Sequence, residues 1–180
     1  MTPSEEKFAV REAKEAVFNT EARLEVDQTL VDYLKQRARD EPRRRFRLCL
    51  HHSTADPVQD MMIVFCRHAY TCPHRFTDRA ICYHMVEGDL TVFLFDDAGR
   101  LTRAVEMASP QSGKTFCLHL SSRQWHFAMA TTEVAVVRET LPGPNLAGEA
   151  IEWATWAPRE ENTEAVLSFI ERLGIKLSDA

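Results

Sequence analysis

The stretch Pro73-His-Arg-Phe-Thr-Asp-Arg-Ala-Ile-Cys-Tyr-His-Met-Val-Glu-Gly88 decides how the chain is to be read. A histidine and a phenylalanine two residues apart precede a turn-like Thr77-Asp78-Arg79, and an aromatic-rich run then ends at Glu87-Gly88-Asp89, a hairpin corner. Period-two alternation places His74 and Phe76 on one face of a first strand and Ile81, Tyr83 and Met85 on one face of the next. Cys82 and His84 then face the other way.

Outward from this stretch the texture stays short and apolar. Phe46 to His51, Met61 to His68, Tyr70 to Phe76, Ile81 to Val86, Leu90 to Phe95, Leu101 to Met107, Thr115 to Leu120, His126 to Ala130 and Val134 to Glu139 all read as strands. Asp96-Asp97-Ala98-Gly99 is a hairpin turn, Ser109 to Lys114 a loop, and Leu141 to Asn145 a Pro/Gly breaker that ends the sheet. Before the strands, Asp27 caps a helix running to about Arg39 and stopping at Glu41-Pro42, and Ser4 to Val17 is an arm with a short strand. After them, Glu164 to Leu173 carries Val166, Phe169, Ile170 and Leu173 on one side of a C-terminal helix. The expected architecture is all-β, a sandwich or barrel flanked by two helices. Residues 1–45 form the arm and helix, 46–145 the barrel and 146–180 the tail, within one domain of 180 residues.

The composition is that of an ordinary globular chain, 44% hydrophobic and 27% charged, and its net charge of −5 gives no bulk attraction for nucleic acid or an acidic membrane. No apolar run reaches the ~18 residues of a membrane span, and the start is too charged for a secretory signal, so a cytoplasmic location is expected. Half of the 22 Lys and Arg residues lie in the first fifty positions, culminating in Arg43-Arg44-Arg45-Phe46-Arg47. The simpler reading is a solvated helix end leading into a strand; the alternative is an anion or phosphate patch. Five cysteines without a C-x-x-C read as buried thiols. Leu90 to Phe95 is apolar on both faces, which predicts a homodimer covering one of them.

The Pro73–Gly88 stretch resembles the first signature of the cupins, metal-binding jelly rolls, with His74 and Gly88 in place but Phe76 and Ile81 where that signature has a histidine and a glutamate. Over about Arg11 to Leu173 the chain is similar to the WbuC family of cupin-fold proteins. That likeness is carried by R-R-R-F-R-L-C-L-H-H, D-P-V-Q-D-M-M-I-V, Y-T-C-P-H-R, H-M-V-E-G-D-L-T-V-F-L-F-D-D-A-G-R, S-G-K-T-F, W-H-F, E-T-L-P-G-P and W-A-P-R-E. The resemblance implies a cupin jelly-roll barrel and a link to bacterial surface-polysaccharide genes. It also implies His74 and His126 as the first and last ligands of a degenerate metal site, in which two histidines hold a divalent ion weakly and no cofactor tightly. Phe76, Ile81 and Met85 are then pocket walls around a small-molecule ligand such as a sugar derivative. The alternatives are a metal-free carbohydrate epimerase or isomerase with His74 and Tyr83 as its catalytic base and acid, and a metalloenzyme recruiting Cys72 or Asp78.

Overall fold

The computed structural model describes residues 8, 10–145 and 151–175; the start of the Ser4–Val17 arm and the end of the tail lie outside them. Twelve strands form two sheets. One contains β1 (Val10–Ala13), β2 (Ala16–Asn19), β3 (Arg45–Cys49), β4 (Val58–Cys66), β6 (Ile81–Glu87), β9 (Cys117–Leu120) and β11 (Val134–Pro142), in the order β1-β2-β3-β4-β11-β6-β9. The other contains β5 (His74–Phe76), β7 (Leu90–Phe95), β8 (Leu101–Met107), β10 (Trp125–Ala130) and β12 (Ile151–Trp153), in the order β12-β5-β10-β7-β8. All pairings are antiparallel except β2 with β3. The arm is thus a hairpin whose second strand extends the larger sheet, and the tail supplies an edge strand to the smaller one. The sequence pattern gave neither.

Strands β4, β7 and β10 are buried on both faces along nearly their whole length, and their alternation sorts the side chains between an inner and an outer layer. Between the sheets lies a cluster that includes Met61, Ile63 and Phe65 of β4, Phe76 of β5, Tyr83 and Met85 of β6, Leu90 and Val92 of β7, and Ala128 of β10. The outer faces of β3, β4 and β11 contribute Phe46, Leu48, Met62, Val64 and Val136 to a second cluster. Helix α1 (Gln28–Asp40) closes it with Leu30, Val31, Leu34 and Ala38, and its first turn is held by the Asp27 carboxylate accepting from the Leu30 N–H at 2.9 Å.

The outer face of the smaller sheet is covered by the chain itself. Phe93 and Phe95 of β7 and Trp125, Phe127 and Met129 of β10 pack under Val166, Phe169 and Ile170 of helix α2 (Thr163–Arg172) and under Ala154 and Ala157 of the tail. This removes the premise from which a homodimer was expected. The second apolar face of Leu90–Phe95 needs no partner subunit, because the Phe169 ring sits 6.2 Å from both Phe95 and Phe127 and 6.1 Å from Tyr70. Trp156 belongs to the same cover, and Gly99 at the β7–β8 turn, with φ +77°, leaves room for its indole. A Cβ there would stand 2.6 Å from the ring.

Phe169→Ala is expected to lower stability by about 3–5 kcal/mol in urea titration, since Phe169 is buried to 5% exposure among four aromatic rings. The same variant should self-associate with rising concentration in sedimentation velocity, because the apolar sheet face loses its cover. A loss under 1 kcal/mol would show that the helix does not hold the sheet.

Candidate functional site in the barrel

Strands β5 and β10 meet at a single register pair, His74 opposite His126, and both residues point between the sheets. Their ring centroids are 4.7 Å apart. Phe76 lies 5.9 Å from His74, Tyr83 lies 6.1 Å from His126, and Trp153 of β12 covers His74 at 5.1 Å. Four of the residues singled out from the sequence, His74, Phe76, Tyr83 and His126, therefore converge on one place.

Ile81 and Met85 do not line the cavity. Of the inward residues of β6 only one borders the cavity. That residue is Tyr83, opposite Glu139 of β11, whereas Met85 is one level deeper opposite Val137 and Ile81 one level out opposite Leu120 of β9. Both are buried in the interior cluster, and Ile81 borders a separate surface groove beside Val58 and Cys82.

The cavity has a volume of about 290 Å³. Its floor and walls are Met61, Ile63, Phe65, Phe76, Ala128 and Leu141, and its polar rim comprises His74, Tyr83, Glu139, Thr71, Asn145 and the arginines of β3. Glu139, Arg45 and Arg47 were missed as site residues. Arg45 and Arg47 share the inward face of β3 with Cys49, while Phe46 and Leu48 face helix α1. The expectation that the arginine run is a solvated helix end fails for both. Arg45 is 7% exposed, donates to the Tyr70 carbonyl at 2.7 Å and to Thr71 at 2.6 Å, and pairs with Glu160 at 3.2 Å. Arg43 is clamped by Glu15 and Glu160 at the rim.

The two histidines are held as neutral rings of one tautomer. Nδ1 of His74 lies 3.1 Å from the Cys72 carbonyl and Nδ1 of His126 lies 2.9 Å from the Gln124 carbonyl. A carbonyl can only accept, so Nδ1 carries the proton in both rings and Nε2 presents a lone pair. Nε2 of His126 is buried without a hydrogen-bond partner among the described residues. Burial pushes the pKa of His74 down to about 3, with the neighbouring His126 adding to it, and that of His126 down to about 4. Burial likewise pushes Glu139 up to about 6, against the opposing pull of Arg47, and keeps the phenol of Tyr83, which donates toward Glu139, protonated.

Two imidazoles with free Nε2 lone pairs are half of a cupin metal site. The other positions are hydrocarbon, and among the described residues no three His, Cys, Asp or Glu side chains gather closely enough to hold a metal ion. Cys72 does not supply the missing donor, since its thiol faces the carbonyl of Ala154 and Arg159 under the tail. Asp78 does not either; it is exposed and paired with Arg79. The donor set does not fit a tightly held divalent ion.

These features can be set beside known proteins. A family model described as a domain of unknown function, DUF6016, matches residues 26–107. No curated protein matches the chain. Among solved structures, protein SO0799 from Shewanella oneidensis superposes with a TM-score of 0.51 at 12% identity, over 72% of this chain and 82% of that one. The fold is a cupin jelly roll. KdgF from Halomonas sp. gives 0.44 at 17% identity over 57% of this chain and 82% of its own. Procruciferin, an 11S globulin from Brassica napus, gives 0.43 at 14% identity over 54% of this chain, which spans only 23% of the globulin. At these identities the likeness extends to the fold alone. Among the described residues no helix is long and apolar enough to cross a membrane.

The histidine environment has a measurable acid signature. The folded chain binds fewer protons than the unfolded one between pH ~6.5, the ordinary histidine value, and the depressed values near 4 and 3. The stability contributed by the neutral rings is full above that window and is lost as pH falls through it. His126→Asn, whose amide can still donate to Gln124, is expected to flatten the fall of Tm between pH 6.5 and 4. Identical slopes for variant and parent would contradict a buried neutral His126.

Proposed function

We propose that the barrel cavity binds a small organic molecule directly on its side chains, without a tightly held metal, and that the chain is a degenerate WbuC-like cupin serving bacterial surface-polysaccharide metabolism. The observation that carries the binding reading is the composition of the cavity. Apolar walls from Met61, Ile63, Phe65, Phe76 and Leu141 surround a few convergent polar groups, among them the His74 imidazole, whose Nε2 forms no hydrogen bond with any described residue. That is the make-up of a ligand pocket, and the volume of about 290 Å³ sits at the small end of the usual range of ~300–1,000 Å³. The polysaccharide connection rests on the motif likeness to the WbuC family, and with it comes a sugar derivative as the natural ligand and a cytoplasmic setting.

A second reading, a metal-free carbohydrate epimerase or isomerase, is favoured by one observation. Glu139, with its pKa raised to about 6, stands against a protonated Tyr83, which is a carboxylate base beside a phenol acid near neutral pH. In that reading the base is Glu139. His74, its pKa held near 3, is too weak a base for the role the sequence suggested.

Chelator treatment separates these readings from a metalloenzyme. Dialysis against EDTA is expected to leave the Tm and the binding of a sugar probe such as glucuronate unchanged; a fall in either that zinc, manganese or iron restores would overturn the metal-free reading. Glu139→Gln and Tyr83→Phe separate the remaining two. Turnover of a nucleotide sugar that each substitution lowers by ~10²–10⁴-fold would replace the binding module with the enzyme.

A further inference from the structure

The polar groups of the cavity divide sharply into donors on one wall and acceptors on the other. Just before β3 the guanidinium of Arg43 is shared with Glu15 and Glu160, and on β3 that of Arg45 with Glu160, Thr71 and the Tyr70 carbonyl. Arg47, next along the same inward face, forms no hydrogen bond and no ion pair with any described residue, although it lines the cavity. Glu139 is near enough for Arg47 to draw its pKa down, yet no ion pair joins them. Arg47 therefore presents five N–H donors in a planar fork without an acceptor.

Across the cavity the situation is reversed. His74, which lines the cavity, presents an Nε2 lone pair, fixed there because its Nδ1–H is committed to the Cys72 carbonyl. A buried acceptor without a donor is costly, as is a guanidinium left unmatched. One kind of molecule satisfies both walls. It carries a planar oxyanion for the fork of Arg47 and a hydroxyl that donates to His74, with its hydrocarbon body against Phe76, Ile63 and Leu141.

Taking the cavity as a ligand site, as proposed above, we infer that its ligand is a small hydroxylated carboxylate, of sugar-acid or hydroxy-acid type, seated with its carboxylate on Arg47 and a hydroxyl on Nε2 of His74. A carboxylate suits the position better than a phosphate ester because Arg43 and Arg45, the other cations at the rim, are already matched by Glu15 and Glu160. A single guanidinium remains for a single negative charge.

The test is isothermal titration of the full chain with four probes of similar size: glucuronate, glucose, glucose 6-phosphate and hexanoate. Glucuronate should bind at least tenfold more tightly than each of the other three. Arg47→Gln should lose about ten- to a hundredfold of that affinity, as removal of a charge-assisted bidentate contact does, and should leave glucose binding as it was. Because Arg47 bonds to no described residue, the variant should unfold at the temperature of the parent or above it, and Arg47→Met serves as a second variant should it not. Ala128→Trp, which fills the cavity, identifies where binding occurs. If glucose binds as well as glucuronate and Ala128→Trp abolishes both, the cavity is a ligand site but the carboxylate inference is wrong. Tighter binding of glucose 6-phosphate, or glucuronate affinity unchanged in Arg47→Gln, overturns it equally. If no probe binds, or Ala128→Trp leaves binding intact, the cavity reading itself falls and the inference falls with it.

Discussion

The architecture depends on the two-sided alternation of strand β10. His126, Ala128 and Ala130 point between the sheets, and Trp125, Phe127 and Met129 point outward under helix α2. A slip of one residue in its pairing with β7 would turn two large aromatics into the barrel and carry the histidine into the outer layer. The site and the cover of the barrel are thus fixed by the same register. The small inward residues do the spatial work: Ala128 lines the cavity, and a larger residue there would leave no room above His126 and Phe76.

Much of the fold was legible because period-two patterning and turn residues mark strands whatever lies on either side of them. Leu90–Phe95 and Leu101–Met107 coincide with their expected bounds, and the Asp27 cap sits where the sequence puts it. What the pattern could not supply was which face of a doubly buried strand looks inward. In Arg45-Phe46-Arg47-Leu48-Cys49 the hydrophobic residues at 46 and 48 suggest an inner face by their chemistry, yet they lie outside, under helix α1, and the arginines lie inside. Parity with Cys49 on β3, and of Glu139 with Val137 on β11, was the available signal. It is decisive only when the covering helices are known. The same ambiguity made Leu90–Phe95 look like a dimer interface, when the chain's own C-terminal segment covers it.

Where the cupin signature has a histidine and a glutamate this chain has Phe76 and Ile81, and the lone pair on His74 and the fork of Arg47 face a cavity of apolar walls and a few other polar groups. Such groups are expensive to bury, and the protein tolerates them at a place where Glu139 also pays a burial penalty visible in its raised pKa. Polar groups concentrated inside an otherwise apolar barrel are the feature on which the proposed ligand site rests.

The tail's position as the outer cover has a bearing on the chain as it is made. Synthesis proceeds from the N-terminus, so Phe93, Phe95, Phe127 and Met129 leave the ribosome well before Phe169 and Ile170 can shield them. The mouth of the cavity waits as well, because Trp153 covers His74 and Glu160 clamps Arg43 and Arg45. A nascent chain halted near residue 140 would hold every barrel strand from β3 to β10 with one sticky aromatic face and an open mouth. It is in that interval, before the last turn of helix α2 docks, that the protein is most exposed to misassembly and most in need of a chaperone.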